Sequence, residues 1–300
     1  MPAQQIDDPF SPCVVVVKTP VASRKAVADR LARTGRRLAG NVAAAAVEQE
    51  RTLTTLLETL SHLGVAPETI SVDGLDARAR RTIASARFVI TVGGDGTLLA
   101  ASHWVTGAMM LGVNSAPHSS VGYLTFARRA TLPRILKRIA SGTLQPHPVV
   151  RLGVDLEGKI LPPALNDVLI AHEQPAATSR YRLRLGRRAE EHRSSGLWVS
   201  TPVGSTAGIR SAGGQAMPLD ARRLQFRARE LYRARGDASL EAGFVEPNQK
   251  LAVESAMAAG WLYIDGARMA VRFPFGAQAS FRVAEKPLLL FADPARWAPG

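Results

Sequence analysis

Residues 88–99 read Phe-Val-Ile-Thr-Val-Gly-Gly-Asp-Gly-Thr-Leu-Leu, a β-branched and aromatic run that leads into glycines around one aspartate. This order predicts a buried strand, a tight loop and the N-terminus of a helix. Ligands of open α/β sheets bind beyond the carboxyl ends of strands, so the loop lies where a binding site is expected. Glycines let the backbone approach a phosphate, and a helix N-terminus offers unpaired N–H groups to an anion. The alternative is a surface turn in which Gly and Asp tolerate positive φ.

Asp95 is unexpected in such a loop, because its carboxylate would repel the phosphate that the loop attracts. A general base or a metal ligand beside a phosphate resolves this conflict, since both need negative charge there. Asp95 is therefore the candidate catalytic residue.

The chain before residue 145 alternates strands with helices, which predicts a Rossmann-like α/β domain over residues 1–145 with a parallel sheet. Ser23 is expected to cap a helical region, and Gly64 suits the end of a helix with a leucine face between Leu53 and Leu63. The other predicted elements are strands at 14–17, 70–72, 88–92 and 109–114 and helices at 76–86 and 131–141.

The pattern changes at Gly142–Pro148, after which short strands follow one another. A C-terminal antiparallel, β-rich and β-sandwich-like domain is therefore predicted over residues 146–284. Its strands are expected at 149–156, 165–171, 180–185, 196–200, 251–256, 262–264, 270–273 and 279–283, with helices at 206–213 and 217–236. The segment 285–300 is expected to pack back on the first domain through a last strand at Leu288–Phe291.

Composition favours a folded protein, with 46% hydrophobic and 21% charged residues among 300. A net charge of +13 suggests anionic partners, either nucleic acid or phosphorylated small molecules. Arginines are scattered along predicted helices and are densest at Arg222–Arg235. We interpret most of them as solvated helix faces, which makes nucleic-acid binding a minor alternative.

The cytoplasm is the expected compartment. Apolar runs are too short to span a bilayer, and the first residues resemble neither a secretory signal nor a transit peptide. Cys13 is the single cysteine, so an intrachain disulfide is excluded, which fits a reducing environment.

Several common chemistries lack their motifs. The sequence has no HExxH, no GxxxxGK[ST] P-loop and no GxSxG, and no GxGxxG follows a predicted strand. These absences disfavour a zinc protease, a P-loop kinase, a serine hydrolase and an ordinary dehydrogenase.

Three motifs instead carry a family resemblance. Gly93–Thr97 resembles the GGDGT signature of NAD kinases, lipid kinases and, in a variant form, phosphofructokinases. Ala164–Val168 resembles the Asn-Glu/Asp pair of NAD kinases, and Ser195–Ala207 with Ser211–Gly214 resembles their glycine-rich motif. Lipid kinases usually follow GGDGT with Asn-Glu, where this chain has Leu98-Leu99. The chain therefore resembles the NAD kinase family.

Other details resemble the mitochondrial-type branch of that family, among them Val17–Thr19 and Ser194–Gly196. Two positions depart from the common branch. Ser195 stands where that branch has an acidic residue that reaches the nucleotide, and Gly208 stands where an aromatic residue is usual.

The resemblance implies transfer of the γ-phosphate of ATP to the 2′-hydroxyl of the adenosine ribose of NAD, which gives NADP. Asp95 would be the general base, and Mg²⁺ would arrive on the ATP phosphates with Asp95 as its candidate protein ligand. Phosphate binding is assigned to Gly93, Gly94, Gly96, Thr97 and Lys18, with Arg24 as a weaker candidate. NAD binding is assigned to Asn114, Tyr123, Asn166, Asp167, Ser195, Thr201, Ser205, Thr206, Ala207 and Ser211, and Asp265 either caps a turn or touches ligand.

The resemblance also implies a homodimer or homotetramer whose site borrows residues from a neighbouring subunit. Two alternatives remain open from the sequence. One is a GGDGT-type kinase for a lipid or sugar hydroxyl, and the other is a non-catalytic relative that binds nucleotide or nucleic acid. The phosphoryl donor and the preference between NAD and NADH also stay open.

Overall fold

The structure is a computed structural model that describes residues 9–19, 36–118, 120–232 and 240–297. The chain divides into two compact units. The first comprises Met1–His147 with Leu288–Asp293, and the second comprises Pro148–Pro287 with Pro294–Gly300.

A largely parallel sheet forms the first unit. Its strands are β1 Cys13–Val17, β2 Glu68–Ser71, β3 Phe88–Gly93, β4 Met109–Asn114, β5 Ala127–Arg128, β6 His147–Val149 and β19 Leu288–Phe291. They lie in the order β2-β1-β3-β4-β19-β6, and β5 pairs with β4. The pairs from β2 through β19 are parallel. The predicted α/β fold class and the return of the last strand are confirmed.

Helices connect these strands: α1 Arg36–His62, α2 Ala77–Ser85, α3 Asp95–Ser102 and α4 Leu132–Ala140. The predicted leucine face of α1 is real, because Leu56 and Leu60 are both 0% exposed in the core of this unit. Gly64 has φ +76°, as expected for the residue that ends a helix. The predicted cap Ser23 and the basic candidate Arg24 lie outside the described residues.

The chain changes direction across the sheet at β1, which pairs with β2 on one side and with β3 on the other. The carboxyl ends of β1 and β3 are therefore neighbours, and the Lys18 N–H donates to the Val92 carbonyl at 2.9 Å. The loop after β3 accordingly lies at a topological switch point of the sheet, where α/β folds bind ligands.

Two antiparallel sheets form the second unit. Its strands are β7 Leu152–Leu156, β8 Lys159–Ile160, β9 Asp167–His172, β10 Ser179–Leu185, β11 Arg188–Ser194, β12 Gly196–Ser200, β13 Leu224–Arg229, β14 Ala242–Val245, β15 Leu251–Ser255, β16 Gly260–Ile264, β17 Met269–Arg272 and β18 Gln278–Val283. The sheet orders are β11-β10-β15-β18-β7-β8 and β14-β13-β12-β9-β16-β17. Both sheets contribute to one core, Tyr181 and Phe281 from the first and Ile170 and Phe226 from the second. The predicted sandwich-like, antiparallel character is confirmed.

The prediction of a helix over residues 217–236 is wrong. Residues 224–229 form strand β13, in which Leu224, Phe226 and Ala228 are buried. Alternate residues therefore point into the core, which is the period of a strand, and burial of that face outweighs the helix propensity of Arg227 and Arg229. The helix predicted at 206–213 is present as the short α5, Gly208–Ser211.

The segment 285–300 also differs from expectation. Leu288–Asp293 groups with the first unit, but Pro294–Trp297 groups with the second. The Trp297 indole is buried and its Nε1–H donates to the Val203 carbonyl at 2.9 Å, which holds this segment in the second unit.

None of the helices within the described ranges combines the length and the apolar character needed to cross a membrane. Cys13 is buried on β1.

Candidate functional site

The loop after β3 is closely packed. Helix α3 begins at Asp95 with Gly94 as its N-cap, and the Thr97 N–H donates to the Gly94 carbonyl at 3.0 Å. A Cβ on Gly93 would lie 2.9 Å from Thr97 Cβ and 3.0 Å from Lys18 Cβ, and one on Gly94 would lie 2.9 Å from Ser120 Oγ. A Cβ on Gly96 would instead meet no described atom within 4 Å. The loop thus leads into the start of a helix, where the first N–H groups have no partner within the helix, and a Cβ at Gly96 would have open space, an arrangement that suits an anion.

The Asp95 carboxylate accepts two backbone hydrogen bonds. Oδ2 accepts from the Tyr123 N–H at 2.9 Å and Oδ1 from the Leu124 N–H at 2.8 Å. Each carboxylate oxygen has a second lone pair, so Asp95 can hold this loop and still accept a proton. A carboxylate that can receive a proton therefore stands beside the anion-binding loop.

Asn114 shapes the same loop from the end of β4. It is 2% exposed; its Nδ2 donates to the Ser120 carbonyl at 3.1 Å, and its Oδ1 accepts from the Ala116 N–H at 3.1 Å. Gly122, at φ +60°, lies directly against this amide. Both ends of the Asn114 amide have protein partners, and they hold the backbone at Ala116 and Ser120.

In the second unit, the segment Leu165–Asp167 is held from both sides. The Asp265 carboxylate accepts from the backbone N–H groups of Leu165, Asn166 and Asp167 at 2.8, 2.7 and 3.0 Å. The Thr201 hydroxyl donates to the Leu165 carbonyl at 2.5 Å, and the Thr201 N–H donates to the Asn166 carbonyl at 2.9 Å. The backbone that carries the predicted Asn-Asp pair is thus fixed.

Asn166 presents an unsatisfied acceptor. Its Oδ1 is buried and has no hydrogen-bond partner among the described residues. A buried carbonyl oxygen without a donor costs free energy, so such atoms in native proteins commonly await a ligand or water. The atom points to a ligand that donates a hydrogen bond here.

Asp167 is 6% exposed. Burial, and secondly the negative charge of Asp265, raise the pKa of its carboxyl to about 8. Asp167 is therefore largely protonated at neutral pH in the absence of ligand, and it can both donate and accept a hydrogen bond.

The glycine-rich segment after β12 lies against this pair. A Cβ on Gly204 would lie 2.5 Å from the carbonyl carbon of Asn166. Two of the predicted hydroxyl ligands here have internal partners. Thr201 Oγ1 also accepts from the Gly204 N–H at 3.2 Å, and Ser205 Oγ donates to the Pro202 carbonyl and accepts from the Met217 N–H. Thr201 and Ser205 are 0% exposed, and these bonds fold the segment. Thr206 and Ala207 are half-buried and Ser211 is exposed.

Ser195 does not join this cluster within one chain. It precedes β12, whose other end pairs Ser200 with Asp167, so it lies about 15 Å along the strand from Asp167. Ser195 instead lines a cavity of about 310 Å³ on one face of the sheet, together with Trp198 and Tyr263.

Trp198 also explains the glycine at position 208. A Cβ on Gly208 would lie 2.7 Å from Trp198 Cζ2, so the indole occupies the space above this residue. The resemblance leads one to expect an aromatic side chain at 208, and here an aromatic ring from β12 lies against that position.

The structure thus groups the predicted residues by unit. In the first unit, the loop Gly93–Thr97 lies close to Lys18, Asn114 and Tyr123. In the second unit, the cluster consists of Asn166, Asp167 and residues 201–207. Sequence reasoning gave no role to Trp198 and left that of Asp265 undecided. The Asp265-Gly266 dipeptide is a turn signal, but its partners are distant in sequence. Among the described residues no group of three or more His, Cys, Asp or Glu side chains could hold a metal ion.

Residues 15–144 match the family model described as the ATP-NAD kinase N-terminal domain. The chain is 39% identical over 205 residues to a probable NADH kinase of Oryza sativa, covering 60% of this chain and 63% of that protein. It is 37% identical over 205 residues to an NADH kinase of Arabidopsis thaliana, covering 60% of this chain and 65% of that protein. The chain therefore spans less than two thirds of the length of these relatives.

Two solved structures share the fold. An NAD kinase from Archaeoglobus fulgidus, in complex with ATP, superimposes with a TM-score of 0.67 at 20% identity and covers 95% of both chains. Yeast NADH kinase, complexed with NADH, gives a TM-score of 0.70 at 13% identity and covers 95% of this chain and 85% of its own. The resemblance predicted from the motifs is confirmed by the family match and the named relatives.

Proposed function

We propose that this chain, a relative of the ATP-NAD kinases, is itself an NAD kinase that transfers the γ-phosphoryl group of ATP to the 2′-hydroxyl of the adenosine ribose of NAD or NADH. The observation that carries the proposal is the loop Gly93–Thr97, which lies at the sheet's switch point inside the stretch that matches the family model. The unpaired Oδ1 of Asn166 supports it from the second unit.

The reaction forms a bond between the ribose 2′-oxygen and the γ-phosphorus and breaks the bond from that phosphorus to the β–γ bridging oxygen. The electron pair of the broken bond leaves with ADP. The proton of the 2′-hydroxyl passes to a free lone pair of Asp95, a step that contributes about 10²–10⁴-fold to such rates. The N–H groups at the start of α3 stabilise the negative charge of the transferred group.

Magnesium could be held here by one carboxylate and the ATP phosphates, without a site built only from protein ligands. Mg²⁺ commonly binds through one or two carboxylates and the substrate phosphates, and Asp95 is the carboxylate of this loop. When bound with ATP, the ion would neutralise charge on the phosphates. Lys18, whose backbone lies against the loop, would add a positive charge there.

In the second unit, Asn166 and Asp167 are the residues we propose to bind the nucleotide. The orphaned Asn166 Oδ1 would accept from an amino group of the base, and the Asp167 carboxyl would bind ribose hydroxyls. Thr206 and Ala207, just before α5, and Ser211, its last residue, would line the wall of this site.

We further propose a homodimer or homotetramer. The support is the position of Ser195, which the resemblance assigns to the NAD site. Within one chain, Ser195 precedes the first residue of β12, whereas Asp167 pairs with Ser200 at the other end of that strand. A neighbouring copy would supply it. A cytoplasmic location remains a prediction from the sequence.

The deciding experiment is a coupled assay for NADP or NADPH formation from the purified chain, ATP, Mg²⁺ and either NAD or NADH. We expect product with at least one of the two acceptors, and the ratio of kcat/KM values gives the preference. Phosphorylation of a lipid or sugar with none of NAD(H) would favour the alternative kinase. Salt-dependent binding to nucleic acid without turnover would favour a non-catalytic role.

A further inference from the structure

The carboxylate of Asp265 is committed to the backbone of Leu165–Asp167. Its Oδ2 accepts from the Leu165 N–H, and its Oδ1 accepts from both the Asn166 and the Asp167 N–H. Hydrogen bonds to an ionised carboxylate are stronger than neutral ones, and three of them converge on one side chain about a hundred residues away in sequence.

The backbone of Asp265 also binds the segment Leu165–Asp167. Its N–H donates to the Asp167 carbonyl at 2.9 Å, and its φ is +50°, followed by Gly266 at φ +96°. Asp and Asn are the non-glycine residues that tolerate this left-handed conformation best. The turn therefore points a short carboxylate at three successive N–H groups, a geometry that a longer or β-branched residue would not reproduce.

The carbonyl side of the same segment is fixed as well. Thr201 binds the carbonyls of Leu165 and Asn166, and the Ser200 hydroxyl donates to the Asn166 carbonyl at 3.2 Å. With N–H and C=O groups both engaged, the Asn166 backbone has little freedom. The direction of its buried, unpaired Oδ1 is consequently set by Asp265 as much as by Asn166 itself.

We infer that Asp265 is a positioning residue for the nucleotide-binding pair Asn166–Asp167, holding their backbone so that both side chains meet the base and ribose of NAD(H) in one orientation. This inference rests on the proposed function. Asp265 does not touch the nucleotide; it acts through the residues it holds, and displacements of about 1 Å in such positioning groups can cost large factors in rate.

The test is Asp265→Asn, because Asn keeps the left-handed turn and removes only the second acceptor. Its Oδ1 can still accept, but the amide Nδ2 then faces the Leu165 N–H, donor against donor. We expect the KM for NAD(H) to rise about tenfold or more while the KM for ATP changes less than about twofold.

Asp155→Asn is the matched control. Asp155 is another turn aspartate of the second unit, and its Oδ1 accepts from the Gly158 N–H at 2.8 Å. We expect this variant to keep that hydrogen bond through its amide oxygen, to lose only the charge of the carboxylate, and to keep both KM values. Thermal melts of both variants ensure that assays are run on folded protein.

Two results with folded Asp265→Asn protein would overturn the inference and leave the proposed function standing. One is an unchanged KM for NAD(H), and the other is an equal rise in the KM values for NAD(H) and for ATP. A wild-type chain that phosphorylates neither NAD nor NADH would refute the proposed function and the inference with it. Should Asp265→Asn not fold, Asp265→Glu, which keeps the charge but lengthens the side chain, is expected to give the same KM split.

Discussion

Asp95 has two duties, because its carboxylate binds the backbone of Tyr123 and Leu124 and is also the proposed base. Asp95→Asn removes the base and keeps one acceptor oxygen. We expect kcat to fall by about 10²–10⁴ while ATP and NAD(H) still bind. Single-turnover assays and equilibrium binding measure the two effects separately.

Asp76→Asn is the control for that substitution. Asp76 caps α2 in the same unit by accepting from the Ala79 N–H at 2.8 Å, and Asn caps helices equally well. It should leave turnover unchanged. Normal turnover in Asp95→Asn would exclude Asp95 as the base.

Asp167 makes stability depend on pH. Its carboxyl has a pKa of about 8 in the folded chain, against 3.8 when unperturbed, so between these values the folded state retains a proton that the unfolded state has lost. The contribution of Asp167 to stability is therefore fully present below about pH 4 and is lost as the pH rises towards 8.

Asp167→Asn cannot titrate and should remove that slope. We expect the free energy of unfolding of the variant, minus that of the wild type, to increase from pH 5 to pH 8, as measured by urea denaturation at both pH values. A difference that stays constant with pH would show that Asp167 is ionised in the folded chain.

At the scale of single residues, the sequence identifies the motif members but not the atoms they bind. Asn166 and Asp95 stand out in their motifs, yet the partners of Asp95 lie 28 and 29 residues further along the chain. Thr201 and Ser205 have the same hydroxyl as a ligand-binding residue would have. Only the structure shows that the fold already uses both.

At the scale of elements, the glycine-rich segment after β12 requires close contact with the Asn166 backbone. Gly204→Ala would place a methyl group 2.5 Å from the Asn166 carbonyl carbon. We expect the free energy of unfolding to fall by about 2 kcal/mol and the KM for NAD(H) to rise, because the segment must move away. Chemical denaturation and steady-state kinetics measure these effects.

Gly40→Ala is the opposite case. Gly40 is an exposed glycine within α1, and a Cβ there would meet no described atom within 4 Å. Alanine should raise stability by up to about 1 kcal/mol through its higher helix propensity. A stable Gly204→Ala variant with normal KM values would contradict the close contact.

Elements whose apolar residues follow one clear pattern are predictable from this sequence. Elements in which the apolar pattern and the charged residues point to different structures are not. The leucine face of α1 and the apolar run of β3 gave correct elements. Strand β13 alternates Leu224, Phe226 and Ala228 with Gln225, Arg227 and Arg229, but the density of arginine suggested a helix. Two of those arginines lie next to acidic side chains, Arg227 at 3.5 Å from Glu241 and Arg229 at 3.8 Å from Glu230.

At the scale of the whole molecule, the proposed sharing of sites between copies can be tested by complementation. Asp95→Asn and Ser195→Phe chains should each be inactive, the second because a ring fills the cavity beside Trp198. If Ser195 serves the site of a neighbouring copy, a mixed dimer retains one intact site. Random mixing should then restore about a quarter of the wild-type activity.

The measurement is NADP(H) formation after the two inactive variants are co-expressed. Mixing the separately purified proteins without subunit exchange is the control. No recovery in a mixture shown by mass spectrometry to contain hybrids would place Ser195 and Asp95 in sites of the same chain, or Ser195 outside the site.

The return of β19 to the first sheet has a consequence for how the protein is made. Leu288–Phe291 lies between β4 and β6, pairs in parallel with Met109–Leu111 and packs Phe291 edge-on against Phe88 at 6.0 Å. A ribosome delivers this strand only after all of Pro148–Pro287. The interposed sandwich can therefore complete its two sheets during synthesis, whereas the Rossmann-like sheet waits for its last strand with a gap between its neighbours.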